Sequence, residues 1–470
     1  MTADLSSYHA QIAAKRVQFQ PHGLAKVPAL NGAMFPHQEA VTEFALAAGS
    51  AALFLDTGLG KTFCALEWGR VVVEHTNKPV LMLAPLACAK QHEGEAHARS
   101  IDAEAIREAA QVRGSKVYIT NYDRLDRFDP ALFGGVILDE SSILKSFTGK
   151  TTRALISSFD RTPFRLACTA TPAPNDHMEL GQHSAFLGAM ASSEMLSRWF
   201  IADQTNMGRY RLKDPAILDF WNWVASWSRA VSKPSDLGFS DEGFALPELV
   251  LQRHVLAADR STDTGEERDG QARLFRIPET SATSIHREKR LTIEMRADEI
   301  ARVVALEPGE AWVVWCDTDY EADALMARIP DAVEVRGSHS IIQKENRLAA
   351  FASGQTRILI SKPSVCGYGL NWQHCARQAF VGLSFSYESF YQAVRRCWRF
   401  GQKRPVHVHV ACADTEEAIW NVISRKSGDH DEMKSQMTAA MKRAISRRGV
   451  LDPYTPQQRA EFPPFIKGAA

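Results

Sequence analysis

Short apolar runs alternate with amphipathic stretches along this chain, and they do so in two blocks. In the first block the runs lie at residues 51–55, 80–84, 116–120, 136–138 and 165–169. Each run has the length of a buried strand, and the stretches between them, such as residues 62–74, have helical periodicity. Alternation of this kind predicts a parallel sheet covered by helices.

A second block of strands follows an aromatic segment. The alternation resumes at residues 311–316, 357–361, 378–381 and 406–411. Between the blocks, residues 220–231 carry Trp221, Trp223 and Trp227 at near-helical spacing, which favours packing in a helical insertion over stacking on bases. We therefore expect an α/β protein of two parallel-sheet lobes in tandem, with a helical insertion and linker between them.

A chain of 470 residues is long enough for two or three domains. The predicted divisions are an N-terminal lead-in, a first lobe, an insertion with linker, a second lobe and a C-terminal tail, at residues 1–30, 31–190, 191–290, 291–430 and 431–470.

Composition indicates the cellular environment of the protein more clearly than its activity. Lys and Arg number 55, as do Asp and Glu, so a basic groove for nucleic acid would have to be local. The eight cysteines are scattered without a CxxC pair, which favours reduced thiols over disulfides or zinc ligands. No apolar run reaches the ~18–20 residues of a membrane span, and the first 14 residues lack a signal pattern. We expect a cytoplasmic protein without a membrane partner.

A glycine-containing loop joins the first predicted strand to the next helix. It reads Asp56-Thr57-Gly58-Leu59-Gly60-Lys61-Thr62, with Leu55 where a small residue is usual. Glycine lets backbone N–H groups turn toward phosphate oxygens, and the helix N-terminus adds the positive end of its dipole. Lys61 would hold the β- and γ-phosphates of a nucleotide, and the Thr62 hydroxyl would help to bind Mg²⁺. The predicted nucleotide-binding residues here are Thr57, Gly58, Leu59, Gly60, Lys61 and Thr62.

Two carboxylates, Asp139 and Glu140, end the apolar run at residues 136–138. Ligands of open α/β sheets bind at the carboxyl ends of strands, so this pair would face the phosphate loop. Asp139 would hold Mg²⁺, and Glu140 would orient and deprotonate an attacking water molecule. An acidic pair after a strand is usually a polar turn, but the loop upstream makes it a candidate site for nucleotide hydrolysis.

Together these segments resemble the superfamily 2 helicases, and most closely their Swi/Snf-type branch. Asp139-Glu140-Ser141-Ser142 is similar to the DEAD/DEAH box of that branch, with Ser-Ser where Ala-His is usual, a variant similar to those of phage-encoded members. The resemblance covers about residues 30–180 and 295–430. It implies that the two lobes are RecA-like.

The resemblance also implies roles for other residues of the first lobe. Gln38, in Phe35-Pro36-His37-Gln38, matches the glutamine that hydrogen-bonds adenine, which implies ATP as the nucleotide. Thr169, in Thr169-Ala170-Thr171-Pro172, matches a motif that couples hydrolysis to lobe movement. Nucleic acid would be gripped at its phosphates, which gives salt-sensitive and nearly sequence-blind binding. The predicted contacts are Pro85, Thr120, Lys145, Lys150, Thr169 and Lys362.

In the second lobe, two segments resemble motifs of the same branch. Gly369 lies in Gly367-Tyr368-Gly369-Leu370-Asn371, and it is predicted to contact ATP. Gln392, Arg396 and Arg399 lie in the segment that resembles the last motif of the branch. At positions i, i+4 and i+7 of one helix they would share a face, from which two arginines could reach the γ-phosphate across a cleft between the lobes. An arginine finger of this kind is worth ~10³–10⁵ in rate in related NTPases.

The resemblance implies an ATPase that uses ATP and Mg²⁺ to move along nucleic acid. Double-stranded DNA is the usual track of the branch, and we expect a monomer, in the host cytoplasm if the chain is phage-encoded. A strand-separating helicase on single-stranded DNA or RNA stays open, because no wedge hairpin is identifiable. A nucleotide-gated nucleic-acid clamp is disfavoured by the intact catalytic set: Lys61, Asp139, Glu140, Arg396 and Arg399. Unknown protein partners in a larger machine also stay open.

Overall fold

The computed structural model describes residues 20–85, 88–202, 210–258, 282–366 and 371–448. Contacts between residues divide the chain into two compact units. One contains residues 1–240 and 431–470, and the other contains residues 241–430. We call these units the first lobe and the second lobe.

The first lobe is built on a sheet of seven parallel strands. They are β1 Ser50–Leu55, β2 Val80–Ala84, β3 Ala103–Ala105, β4 Val117–Asn121, β5 Gly135–Asp139, β6 Phe164–Cys168 and β9 Ser228–Val231. Their spatial order is β3-β4-β2-β5-β6-β1-β9. The five strands predicted in this block are all present to within a residue or two. A short antiparallel pair, β7 Phe200–Ala202 and β8 Tyr210–Leu212, lies outside this sheet.

Among the described residues of the first lobe, seven α-helices precede residue 240. They are α1 Pro36–Ala48, α2 Lys61–Thr76, α3 Ala89–His97, α4 Lys150–Ser158, α5 Leu180–Leu187, α6 Ser192–Trp199 and α7 Ile217–Trp227. Helix α2 confirms the helix predicted after the glycine-containing loop. Strands β1, β2 and β5 are buried along their whole length, as expected of parallel strands that helices cover on both faces.

The aromatic segment differs from its prediction in its last four residues. Helix α7 ends at Trp227, and the next four residues form β9, which pairs in parallel with β1. The helix predicted over residues 220–231 is therefore wrong beyond Trp227, because pairing with the edge of the sheet outweighs local periodicity. Trp221, Trp223 and Trp227 are all buried, which fits the predicted packing role.

The second lobe has six parallel strands. They are β10 Leu249–Leu256, β11 Trp312–Trp315, β12 Ala332–Val335, β13 Ile358–Ser361, β14 Arg377–Phe380 and β15 Val406–Ala413. Their order is β10-β15-β14-β11-β13-β12. Strands β11, β13, β14 and β15 confirm the four predicted runs, whereas β10 and β12 lie outside those runs. The remaining helices are α8 Ala282–Leu291, α9 Ile293–Leu306, α10 Asp319–Arg328, α11 Ile341–Ala352, α12 Pro363–Cys366, α13 Tyr387–Val394 and α14 Glu417–Arg448.

Alternate residues of β11 face two different hydrophobic cores. Val313 and Trp315 belong to one cluster, whereas Trp312 and Val314 belong to the other. Successive side chains of a strand point to opposite faces, so the sheet is covered on both sides. The predicted α/β architecture of two RecA-like lobes is confirmed by these two parallel sheets.

Residues 431–448 of helix α14 contribute to the first lobe. Helix α14 begins among residues of the second lobe, and from residue 431 its residues cluster with the first. Lys434 Nζ donates to Asp56 Oδ2 at 3.0 Å, and Thr438 Oγ1 donates to the Ala230 carbonyl at 3.4 Å. Residues 191–240, predicted as insertion, and residues 431–448, predicted as tail, thus pack with the first lobe.

Two findings bear on the surroundings of the chain. All eight cysteines lie among the described residues as buried thiols, and none of them forms a disulfide. Of the helices in the described ranges, none combines the length and the apolar character that a bilayer crossing requires.

Candidate functional site

Three adjacent strands carry the predicted site residues of the first lobe. Strands β1, β6 and β5 are neighbours in that order, and their carboxyl ends lie at one edge of the sheet. The glycine-containing loop follows β1, Thr169 follows β6, Asp139 ends β5, and Glu140 comes directly after it. Lys61, Asp139, Glu140 and Thr169 are therefore brought together, as the pattern of strand ends predicted.

The loop after β1 depends on glycine at two positions. Gly58 and Gly60 have φ angles of 93° and 86°, in the left-handed region that side chains disfavour. A Cβ built on Gly60 would lie 2.2 Å from Gln38 Nε2. Gln38 itself is buried, and its Nε2 donates to the Leu59 carbonyl at 3.0 Å. The glutamine predicted to contact adenine therefore also supports the loop.

Lys61 lies in the first turn of α2 and is half-buried. Its Nζ donates to the Leu55 carbonyl at 3.0 Å. Burial lowers the pKa of Lys61, while the nearby carboxylates of Glu140, Asp56 and Asp139 act in the opposite direction. The Thr57 hydroxyl is buried and has no hydrogen-bond partner among the described residues. A half-buried lysine, an unsatisfied hydroxyl and left-handed glycines at the start of a helix fit a phosphate group.

The two carboxylates at the end of β5 have different surroundings. Asp139 is buried, and its Oδ2 lies 2.7 Å from His92 Nε2. Glu140 has a φ angle of 54°, a left-handed conformation that is uncommon for residues other than glycine. Its Oε2 accepts a hydrogen bond from Thr169 Oγ1 at 3.3 Å, and the same hydroxyl accepts from Thr171 N at 3.1 Å. Glu140 is thus linked to the segment predicted to couple hydrolysis to movement.

The Ser-Ser departure from the DEAD/DEAH pattern has a buried partner. Ser141 Oγ lies 3.1 Å from His183 Nε2, in helix α5, and Ser142 is buried beside it. Burial lowers the pKa of His183 to about 4. Neither His183 nor His92 could be identified from the sequence, because each lies outside the motifs and more than 40 residues along the chain from its partner.

In the second lobe, the predicted arginine helix is shorter than expected. Helix α13 ends at Val394, so Gln392 lies in its last turn, while Arg396 and Arg399 lie in the turns that follow. The prediction that all three share one face of a helix is wrong. The backbone N–H of Trp372 donates to the Arg396 carbonyl at 3.1 Å. In a continuing helix, that carbonyl would instead accept a hydrogen bond from the helix itself.

Gln392 and Arg396 nevertheless form a closely bonded pair. Arg396 Nε donates to the Gln392 carbonyl at 2.9 Å, and Nη2 donates to Gln392 Oε1 at 2.9 Å. Both side chains are buried, at 1% and 2% exposure. Arg396 is therefore held in one position by the residue that the motif places four positions before it.

The residues predicted to contact nucleic acid differ in their exposure and in their hydrogen bonds. Thr120 is buried, and its hydroxyl donates to the Ile106 carbonyl at 2.9 Å, so this hydroxyl is occupied within the lobe. Lys362 follows β13 and lies 2.9 Å from Asp319, and Lys150 is exposed at the start of α4. Pro85 and Lys145 are half-buried. Gly369 lies outside the described residues.

Residues 295–401 match the family model described as the helicase conserved C-terminal domain. The chain is 22% identical over 478 residues to "putative protein p41" of Acyrthosiphon pisum secondary endosymbiont phage 1, a match that covers 87% of this chain and 98% of the phage protein. It is also similar to the SWI2/SNF2 ATPase core of Sulfolobus solfataricus solved in complex with dsDNA, with 15% identity, a TM-score of 0.42 and coverage of 92% of this chain and 100% of that one. The matched domain lies within the second lobe and includes Gln392, Arg396 and Arg399. The chain therefore carries a helicase conserved C-terminal domain, which confirms the superfamily 2 helicase resemblance of its motifs.

Proposed function

We propose that the chain is a helicase-type ATPase that couples ATP hydrolysis to movement along double-stranded DNA. The observation that carries this proposal is the meeting of Lys61, Asp139 and Glu140 at one edge of the first sheet, in a chain whose second lobe matches a helicase domain. Double-stranded DNA is proposed as the track because the motifs are most similar to those of the Swi/Snf-type branch.

In this proposal the first lobe binds ATP at the loop after β1. Lys61 exchanges the neutral Leu55 carbonyl for phosphate oxygens, which is favourable because an ionised acceptor forms the stronger hydrogen bond. Gln38 keeps the loop in shape and contacts adenine. Asp139 and Thr62 are the residues that would hold Mg²⁺, whose role is to neutralise charge on the phosphates.

Glu140 is the proposed general base. It orients the attacking water and accepts its proton, while Thr169 Oγ1 holds one carboxylate oxygen in place. The left-handed backbone of Glu140 turns the chain sharply at the end of β5, which separates the direction of this side chain from that of Asp139. Two neighbouring carboxylates can thereby take different roles.

The second lobe supplies Arg396 and Arg399 to the γ-phosphate in this proposal. Gln392 acts as a positioning residue, since its two hydrogen bonds fix the Arg396 guanidinium. The arginines would contact the γ-phosphate of ATP, and this contact is lost with ADP, which has no γ-phosphate. That differential contact is what allows hydrolysis to change the conformation of the protein.

Nucleic acid would be held through local phosphate contacts, because the formal net charge of the chain is zero. Lys145, Lys150 and Lys362 are the candidate cations, and Pro85 and Thr169 are the other candidate contacts that the motifs supply. The exposed Lys362–Asp319 ion pair is worth at most ~1 kcal/mol, so a phosphate could readily replace the carboxylate.

The test is steady-state ATP hydrolysis without nucleic acid and with single-stranded DNA, double-stranded DNA or RNA. We expect double-stranded DNA to stimulate most strongly. Arg399→Ala should lower the stimulated rate by about 10³-fold, since an arginine finger stabilises transition-state charge. Arg425→Ala, which removes an exposed arginine of α14 in the same lobe, is the matched control and should change the rate less than two-fold, a bound of about 0.4 kcal/mol in the barrier.

The other readings are distinguished by the same measurement. Stimulation mainly by single strands or RNA would favour a strand-separating helicase over a double-strand translocase. Nucleotide binding without hydrolysis under all four conditions would contradict the motor and favour a nucleotide-gated clamp.

A further inference from the structure

His92 contacts the carboxylate that the proposed function assigns to metal binding. Its Nε2 lies 2.7 Å from Asp139 Oδ2, and the two residues are 47 positions apart in the sequence. Both are almost completely buried, at 2% and 5% exposure. His92 lies outside every motif of the first lobe, so it is a part of the site that the motifs do not describe.

The two residues are anchored on different elements of the lobe. His92 lies in helix α3, where its backbone N–H donates to the Cys88 carbonyl at 2.9 Å. Asp139 is the last residue of β5, and the Tyr122 hydroxyl donates to its backbone carbonyl at 2.7 Å. The backbone and the side chain of Asp139 are therefore each fixed by a separate hydrogen bond.

The other ring nitrogen of His92 has no such partner. Nδ1 is buried, and among the described residues nothing hydrogen-bonds to it. Buried polar atoms are nearly always satisfied, and leaving one unsatisfied is unfavourable by ~1–3 kcal/mol. A histidine that served packing alone could be replaced by an apolar residue at this position, which points to its bond with Asp139 as the reason for the ring.

We propose that His92 is a positioning residue for Mg²⁺ binding by Asp139, an inference that rests on the proposed ATPase function. By holding Oδ2, the ring fixes the plane of the carboxylate and leaves Oδ1 as the oxygen offered to the metal or to its water. Partners of metal ligands act in this way in other proteins, where their removal weakens metal affinity ~10–100-fold. His92 itself touches neither metal nor substrate.

The experiment measures binding of a fluorescent, non-hydrolysable ATP analogue to the full chain over a series of Mg²⁺ concentrations and in EDTA. His92→Leu should raise the Mg²⁺ concentration needed for half-maximal binding about 10–100-fold. Its affinity for the analogue in EDTA should stay within about three-fold, roughly 0.65 kcal/mol, since only the metal-dependent step needs an oriented carboxylate. His97→Leu is the matched control, because it removes a histidine of the same helix that bonds the Ala103 carbonyl instead.

Two further variants keep the test decisive if His92→Leu does not fold. His92→Gln can still donate an amide N–H to Asp139 and should need nearly the normal Mg²⁺ concentration, whereas His92→Asn is too short and should show the full shift.

An unchanged Mg²⁺ requirement in folded His92→Leu or His92→Asn would overturn the role of His92. Equal losses with Mg²⁺ and in EDTA would show a structural role instead. No analogue binding by the unaltered chain would overturn the proposed ATPase itself.

Discussion

Both lobes bury charged groups near the carboxyl ends of their strands, but they use them differently. In the second lobe, Arg296 Nη1 lies 3.1 Å from Glu321 Oε1 and Arg296 Nε lies 3.3 Å from Glu416 Oε1. Lys289 Nζ lies 2.7 Å from Asp317 Oδ2 in the same network. Opposite charges pair directly there, and Arg296 and Glu321 are fully buried.

In the first lobe, the partners described for three charged residues of the candidate site are a carbonyl group, an imidazole ring and a hydroxyl group. Lys61 donates to the Leu55 carbonyl, Asp139 contacts His92, and Glu140 accepts from the Thr169 hydroxyl. A charged side chain with such a partner can exchange that partner for a ligand. In a complete ion-pair network, each charged side chain already contacts an opposite charge and would have to give it up to bind a ligand. The partner of a buried charge, more than its burial, therefore distinguishes a candidate site from a structural network.

The largest expected effect comes from exchanging one carboxylate in each lobe. Glu321→Gln leaves Arg296 and Lys289 short of a buried counter-charge, so we expect a loss of about 3–5 kcal/mol in the free energy of unfolding. Glu140→Gln should leave stability within about 1 kcal/mol but lower ATP hydrolysis at least 10²-fold. Urea unfolding followed by tryptophan fluorescence, together with ATPase assays, measures both. Equal destabilisation by the two variants would remove the distinction between the lobes.

A pair of glycine substitutions sharpens the same distinction. A Cβ on Gly60 would lie 2.2 Å from Gln38 Nε2, and a Cβ on Gly382 would lie 2.2 Å from Glu321 Oε1. Each Gly→Ala change should destabilise its lobe by about 1–3 kcal/mol. Gly60→Ala should also weaken binding of the ATP analogue, because the loop is reshaped, whereas Gly382→Ala should not. Weaker analogue binding in Gly382→Ala would count against a purely structural network in the second lobe.

The smallest effect concerns pH, and each lobe contains a buried histidine whose pKa is lowered strongly. Burial lowers the pKa of His183 to about 4 and is also the main cause that lowers the pKa of His409 to about 4. A folded-state pKa below the unfolded value of ~6.5 means that the unfolded chain takes up the proton first, so stability falls as pH is lowered from ~6.5 toward 4.

For His183 the loss between pH 7.5 and pH 5.5 should be about 1 kcal/mol. His409 should contribute less, because part of its shift comes from His254 and His407, which act only when they are charged. Urea unfolding at the two pH values, with His183→Gln and His409→Gln, measures each share. A pH dependence that His183→Gln leaves unchanged would refute the assignment to the first lobe.

The sequence predicted the site in the first lobe better than the one in the second for a physical reason. Parallel strands end at one edge, so apolar runs followed by Lys61, Asp139 and Thr169 suffice to place these residues together. The end of α13 could not be predicted in the same way, because it depends on the hydrogen bond from the Trp372 backbone N–H to the Arg396 carbonyl, and Trp372 lies in a different segment of the chain. Strand β9 and the His92 contact depend on tertiary pairing as well, which periodicity does not encode.

Helix α14 has a consequence for how the chain is made. Its residues from 431 onward pack with the first lobe through Lys434 and Thr438, yet residues 241–430 are synthesised before them. At ~5–20 residues per second, translation of these roughly 190 residues takes on the order of 10–40 s. During that interval the first lobe is on the ribosome without residues 431–448 of α14, and Asp56 lacks its lysine partner. The loop after β1 therefore gains Lys434 as a neighbour only after residues 241–430 have been made.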